Sequence, residues 1–80
     1  MRVDKFLKVS RLIKRRTVAN DACSGDRVQI NGKTAKPGDR VKIGDVITLY
    51  FGSNTLNVEV LSLDEKVKKD DAKDLYKVIS

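Results

Sequence analysis

Histidine and tryptophan are absent from the 80 residues, and cysteine and proline occur once each. Without histidine, and with a single thiol, the chain cannot assemble the usual zinc sites or the Ser/His and Cys/His nucleophile pairs. Catalysis is therefore disfavoured, and no catalytic residue, metal or cofactor is expected. The lone Cys23 cannot form an internal disulfide and gives no reason to look outside the cytoplasm. No apolar run approaches the roughly 18 residues a membrane span requires, and no segment reads as a secretory leader. A cytoplasmic protein without a membrane partner is the expectation. Hydrophobic residues make up 40% of the chain, an ordinary share for a folded domain. So short a chain closes over one core, not two.

What the sequence has in excess is positive charge, +6 formally, and it is unevenly placed. Residues 1–16 hold seven cations, Arg2, Lys5, Lys8, Arg11, Lys14, Arg15 and Arg16, against the single acid Asp4. Residues 1–42 net +8, and residues 43–80 net −2. A basic front and a mildly acidic back suit the docking of one face on a polyanion. With no histidine, the charge of that face should hardly change across physiological pH.

Hydrophobic spacing places the charge on elements. Val3, Phe6, Leu7 and Ser10 fall at helical intervals, which predicts a short amphipathic helix over about 3–9 with Asp4 in its first turn. A second helix is expected over about 15–24, with Val18, Ala19, Ala22 and Cys23 as its apolar face and Gly25 as the left-handed residue that ends it. The two form a helical hairpin, bridged by Ser10–Arg16. Beyond Gly25 the period changes to two. Arg27–Ile30 and Lys33–Ala35 flank Asn31-Gly32, the strongest short hairpin signal. Lys36–Asp39 and Gly44-Asp45 read as turns around an alternating Val41–Ile43. Val46–Phe51 reads as a buried strand that uses Tyr50 and Phe51 for core, and Leu56–Leu61 as a strand with one wet face. Ala72, Leu75, Tyr76 and Ile79 predict an amphipathic terminal helix over 70–80, with Tyr76 sealing it to the sheet. The fold class is α+β: a two-helix basic hairpin packed on a small antiparallel sheet of four to five strands, with a C-terminal amphipathic helix.

The cations at 2, 5, 8 and 11 would drift about 60° per step on a helix, drawing a basic stripe. Lys14-Arg15-Arg16-Thr17 falls at the start of the second helix. There a phosphate could meet backbone donors, the Thr17 hydroxyl and guanidinium forks together. Lys33 and Lys36, beside the Asn31-Gly32 turn, would extend this surface. Stacking of Tyr50 and Phe51 on bases is the lesser expectation, and Cys23 is expected to be simple packing. The acids from Asp64 to Asp74 lack the glycine-pivoted spacing of a calcium loop.

Arg2-Val3-Asp4-Lys5-Phe6-Leu7, Ser10-Arg11, Lys14-Arg15-Arg16-Thr17-Val18-Ala19, Gly25, Val28, Asn31-Gly32 and Lys36-Pro37 together resemble the S4-type RNA-binding domain. The resemblance covers roughly residues 1–52, and residues 53–80 are expected to complete the same single domain. Arg2-x-Asp4-x-x-Leu7 and the Lys-Arg-Arg-Thr entry are most similar to the small stand-alone RqcP-like group, which the short length and acidic end also fit. The related fifteen-kilodalton heat-shock proteins share the domain and add a longer basic tail. The resemblance implies a monomeric, non-enzymatic, cytoplasmic factor of ribosome-associated quality control. Such a factor would bind obstructed large ribosomal subunits that carry peptidyl-tRNA, touching rRNA and tRNA. It would act beside an RqcH-type factor in C-terminal alanine tailing. The family's RNA-facing motif then falls on Arg2, Asp4, Lys5, Lys8, Arg11, Arg15, Arg16 and Thr17. Asp4, of the wrong sign for phosphate, would cap the first helix or orient Arg2 and Lys5. Asn20-Asp21 departs from the family pattern, where longer helix formers or a basic residue are frequent, and so weakens a phosphate contact on the second turn. Three alternatives stand beside this reading. One is a heat-shock type factor that recycles large subunits with stranded nascent chains. Another is an adaptor docking through Leu75 and Ile79 of its terminal helix. The last is a domain shed from an enzyme, since the module is often fused to pseudouridine synthases and tRNA synthetases.

Overall fold

The computed structural model describes residues 1–80. Helix α1 runs Val3–Val9 and α2 runs Arg16–Ser24. They are followed by β1 (Val28–Ile30), β2 (Lys33–Thr34), β3 (Val46–Phe51), β4 (Asn54–Val60), a 3₁₀ segment (Lys69–Leu75) and β5 (Tyr76–Val78). The strands form one antiparallel sheet in the order β2-β1-β3-β4-β5, so the expected α+β hairpin-on-sheet architecture is what the chain adopts. No helix is long and apolar enough to cross a membrane.

Helix α1 forms as its spacing predicts. Val3, Phe6 and Leu7 are fully buried, and Ser10 closes the helix with its amide on the Phe6 carbonyl at 2.9 Å and its hydroxyl on the Leu7 carbonyl at 3.3 Å. Asp4 in the first turn and Lys8 in the last complement the macrodipole. The apolar face of α2 divides. Ala19 and Cys23, four residues apart, are buried against α1 and the sheet, whereas Val18 stays about half exposed. Gly25 does not take the left-handed conformation at the end of α2. Its φ is −87°, and the left-handed residue is Asp26 at 60°. The space at Gly25 is tight instead: a Cβ there would stand 3.2 Å from the Asp21 carbonyl oxygen and 3.4 Å from the Arg27 guanidinium.

Asn31 (φ 51°) and Gly32 (φ 83°) make the β1–β2 turn with two positive φ values, as the type I′ hairpin requires. Asn31 also holds the neighbouring loop: its amide nitrogen donates to Asp45 at 3.0 Å, and its oxygen accepts from the Val46 amide at 2.9 Å. The alternation at Val41–Ile43 is real, with Val41 buried and Ile43 exposed, but the segment joins no strand of the sheet. It straps the amino terminus. Val3 N–H donates to the Asp39 carbonyl at 2.7 Å, Val41 N–H donates to the Met1 carbonyl at 3.0 Å, and Arg2 and Arg40 face each other in an isolated antiparallel bridge.

Two further expectations are corrected. Strand β3 is central, yet Tyr50 and Phe51 at its end are 37% and 47% exposed. The core is met by Ile47 and Leu49, both buried, so the aromatics are left over. The terminal helix is confined to the 3₁₀ segment, which buries Ala72 and Leu75, and residues Tyr76–Val78 extend as β5. Pairing of Val58 with Val78, Glu59 with Lys77 and Val60 with Tyr76 satisfies the outer edge of β4, which a helix would leave open. Tyr76 thus packs on the core from within the sheet. One hydrophobic cluster runs from Val3 through β1, β3 and β4 to Leu75.

Candidate nucleic-acid interface

The basic front is organised around a buried carboxylate. Asp4 is 1% exposed. Its oxygens accept from Arg2 at 3.1 Å, Arg16 at 3.5 Å, the Asn20 side-chain amide at 3.4 Å and the Lys5 backbone N–H at 2.8 Å. Arg2 lies ahead of α1, and Arg16 and Asn20 lie one turn apart on α2, so Asp4 ties the two helices at their basic ends. Burial raises the Asp4 pKa, but the Asn20 hydrogen bond, the Arg16 charge, the Lys5 amide and the Arg2 charge outweigh it and hold the carboxyl below its ordinary value. Asp4 is therefore ionised at neutral pH. It steers two guanidinium groups whose side chains remain 47% exposed. A planar guanidinium fixed on one side keeps donors for a bidentate phosphate contact on the other.

The other expected site residues sort by position. Lys5 is not oriented by Asp4: its ammonium pairs with Glu65 of the C-terminal segment at 2.6 Å. Lys8 is half-buried in the last turn of α1. Arg11, Lys14 and Arg15 are exposed in the connector between the helices. The spacing 2-5-8-11 draws no stripe along one helix, because Arg2 is extended ahead of α1 and Arg11 is left-handed (φ 62°) beyond its end. Thr17 lies inside the first turn of α2 and is exposed, but it does not cap the helix. The N-cap position is Arg15, and no side chain bonds there. Lys33 is exposed on the edge strand β2, and Lys36 pairs with Asp26 at 3.3 Å. No hydrogen bond or ion pair joins either lysine to the Asp4 cluster.

Three further residues escaped sequence reasoning. Asn20 had a signal, since four residues after Arg16 it shares that residue's helix face. Arg40 precedes buried Val41, so alternation turned it outward, but only the fold brings it opposite Arg2. Arg27 stands apart from the Asp4 cluster, and only the fold brings it beside Leu12, Val18 and Phe51. Cys23 is fully buried, and burial, with the charges of Asp4 and Asp39, raises its thiol pKa to about 11, so it is inert packing.

A small α+β scaffold that sets a basic helical hairpin on a short antiparallel sheet belongs to the class of modules that dock one face on a polyanion. The chain belongs to the S4 domain family, which matches residues 1–47. It is 50% identical over 78 residues to the RQC P-site tRNA stabilizing factor of Halalkalibacterium halodurans, covering 98% of this chain and 89% of that one. It is 48% identical to the protein of the same name from Listeria monocytogenes, covering 99% of this chain and 86% of that one. The fold matches Heat Shock Protein 15 of Vibrio cholerae, solved as a trimer, with a TM-score of 0.89 at 31% identity, over 100% of this chain and 82% of that one.

Proposed function

We propose that the protein is a non-enzymatic RNA-binding factor of ribosome-associated quality control. It clamps an obstructed large ribosomal subunit and its peptidyl-tRNA through the amino-terminal hairpin. The observation that carries the reading is the Asp4 cluster, in which one buried carboxylate aims both Arg2, just ahead of α1, and Arg16, at the start of α2. The names of the S4-family relatives, which speak of a P-site tRNA and its stabilisation, support the same direction. Recognition is of shape and phosphate, since the face offers many cations and few base-edge readers. Lys5, Lys8, Arg11, Lys14, Arg15 and Thr17 line the contact, with Lys33 and Lys36 as outlying phosphate partners. The protein acts as a cytoplasmic, ribosome-associated monomer beside an RqcH-type factor, in support of alanine tailing of the stalled chain. Residues 53–80 complete the S4-type unit of residues 1–52.

Gradient co-sedimentation with separated subunits tests this. The wild-type chain should travel with the large subunit bearing peptidyl-tRNA, and Arg16→Ala should lose about tenfold in occupancy, the order expected for one charge-assisted phosphate contact. Equal distribution between the two subunits, or an unaffected Arg16→Ala, would overturn the proposal.

A further inference from the structure

An apolar groove of about 210 Å³ lies between the helical hairpin and the end of β3. Leu12, Ile13, Val18 and Ala22 form one wall. Arg27, Tyr50 and Phe51 form the other. Three of the large hydrophobic residues that the core leaves uncovered, Val18, Tyr50 and Phe51, meet here, each more than a third exposed. The volume is below the roughly 300–1,000 Å³ of sites that enclose whole small-molecule ligands, and suits one planar ring system. The surroundings are cationic. Arg11 and Lys14 bracket Leu12 and Ile13 in sequence, Arg15 follows, and all three are exposed. Of the acids adjoining this wall, Asp26 is taken up by Lys36, which leaves Asp21 against Arg11, Lys14, Arg15 and Arg27.

We infer that the groove seats one unpaired base of the bound RNA, stacked on Phe51, edged by Tyr50 and flanked by the Arg27 guanidinium. The phosphates on either side lie toward Arg11, Lys14 and Arg15. The inference rests on the RNA-binding reading above and adds to it a point of single-strand recognition. Charge decides the occupant. An apolar peptide ridge would fill the same volume, but it would leave the surrounding cations without partners. A nucleotide supplies both the flat apolar ring and the negative charge, and aromatic and guanidinium planes are the surfaces on which unpaired bases stack.

The test uses a hairpin RNA with one unpaired purine in its loop, and the same hairpin with that position abasic. The probe protein is the full-length Phe51→Trp variant, the sole tryptophan of a chain that otherwise has none. Its fluorescence should be quenched by the purine hairpin and not by the abasic one. The doubly substituted Tyr50→Ala, Phe51→Ala chain should bind the purine hairpin roughly five- to a hundredfold more weakly. Its dependence on salt and its affinity for the abasic hairpin should be unchanged. Both side chains are exposed enough that the fold survives, which a thermal melt verifies. Equal quenching by the two hairpins, or wild-type affinity in the doubly substituted chain, would overturn the inference. If Arg16→Ala still weakens binding in that case, the basic clamp stands and only the groove fails; if Arg16→Ala also binds as wild type, the RNA reading itself fails. Loss of a protein ligand with RNA binding intact would assign the groove to a peptide and equally overturn the inference.

Discussion

Asp4 carries the wrong sign for its surroundings, and its burial explains why it is there. A free carboxylate on this face would repel phosphate; one that is 1% exposed and saturated by four donors neutralises charge inside the hairpin and presents none outside. Asp4→Ala should cost about 1–3 kcal/mol of stability, because Asn20 and the Lys5 amide lose their acceptor, while the half-exposed arginines rehydrate. The same change removes a negative charge, so affinity for non-specific duplex RNA should hold or rise. Affinity for the large subunit should fall, since Arg2 and Arg16 are no longer aimed. A parallel rise on both ligands would show that charge, not orientation, is what Asp4 supplies. The pKa direction fixes the sign of the acid response. A folded-state value below the ordinary aspartate value, near 3.9, means that the ionised form favours folding. Its contribution is complete above about pH 5 and is lost as pH falls through the folded-state value. The gap in melting temperature between wild type and Asp4→Asn should therefore close on acidification. The sequence placed Asp4 on the right helix and named Arg2 as its partner. It did not name Arg16 or Asn20, since both reach Asp4 only once α2 folds back along α1.

At the scale of elements, the C-terminal segment does more than close the sheet. Glu65 reaches the ammonium of Lys5 on the basic hairpin at 2.6 Å, and that contact holds the Glu65 carboxyl below its ordinary pKa. An acidic segment thus competes with phosphate for one cation of the face. Glu65→Gln should raise RNA affinity by less than about fivefold, as one exposed ion pair allows, and Lys5→Ala should abolish that gain in a double-mutant cycle. Leu75 has the opposite role. Buried in the common core, with its carbonyl accepting from the Leu61 amide at 2.8 Å, it pins the 3₁₀ segment to β4. Leu75→Ala should cost about 2–5 kcal/mol by denaturant titration. Removal of residues 66–80 would likewise strip core and strand together rather than detach an appendage. Local pattern reads this region only in part. Ala72 and Leu75 at i and i+3 signalled helix and were rightly assigned to the inside. What followed was decided by the open edge of β4, a non-local partner that claims Tyr76–Val78 as strand whatever their spacing. Helix α1 was legible because its burial pattern is set within its own segment; α2 was legible in extent, but the core decided which of its apolar residues stayed exposed.

For the molecule as a whole, the net charge of +6 conceals a division into a +8 front and a −2 back. That division was visible in the sequence because it depends on chain position alone. Which front cations act together was not visible. Lys36 pairs with Asp26 and Lys5 with Glu65 at the surface, while Arg2 and Arg16 are steered by Asp4 and Arg40 is brought opposite Arg2. A clamp of this kind releases counterions when it binds, and each neutralised phosphate contributes about −0.7 to −0.9 to the slope of log K against log salt. If the aimed arginines are the contacts, Arg16→Ala should make that slope shallower by close to one phosphate, and Lys69→Ala, at an exposed position that opens the 3₁₀ segment, should leave it unaltered. Diffuse attraction predicts something else: both substitutions remove one charge from the same small body, and they would then lower affinity and slope alike. Titrations of large subunits with the three chains at several salt concentrations separate the cases. With no histidine on the face, the same slopes should be measured at about pH 6 and about pH 8.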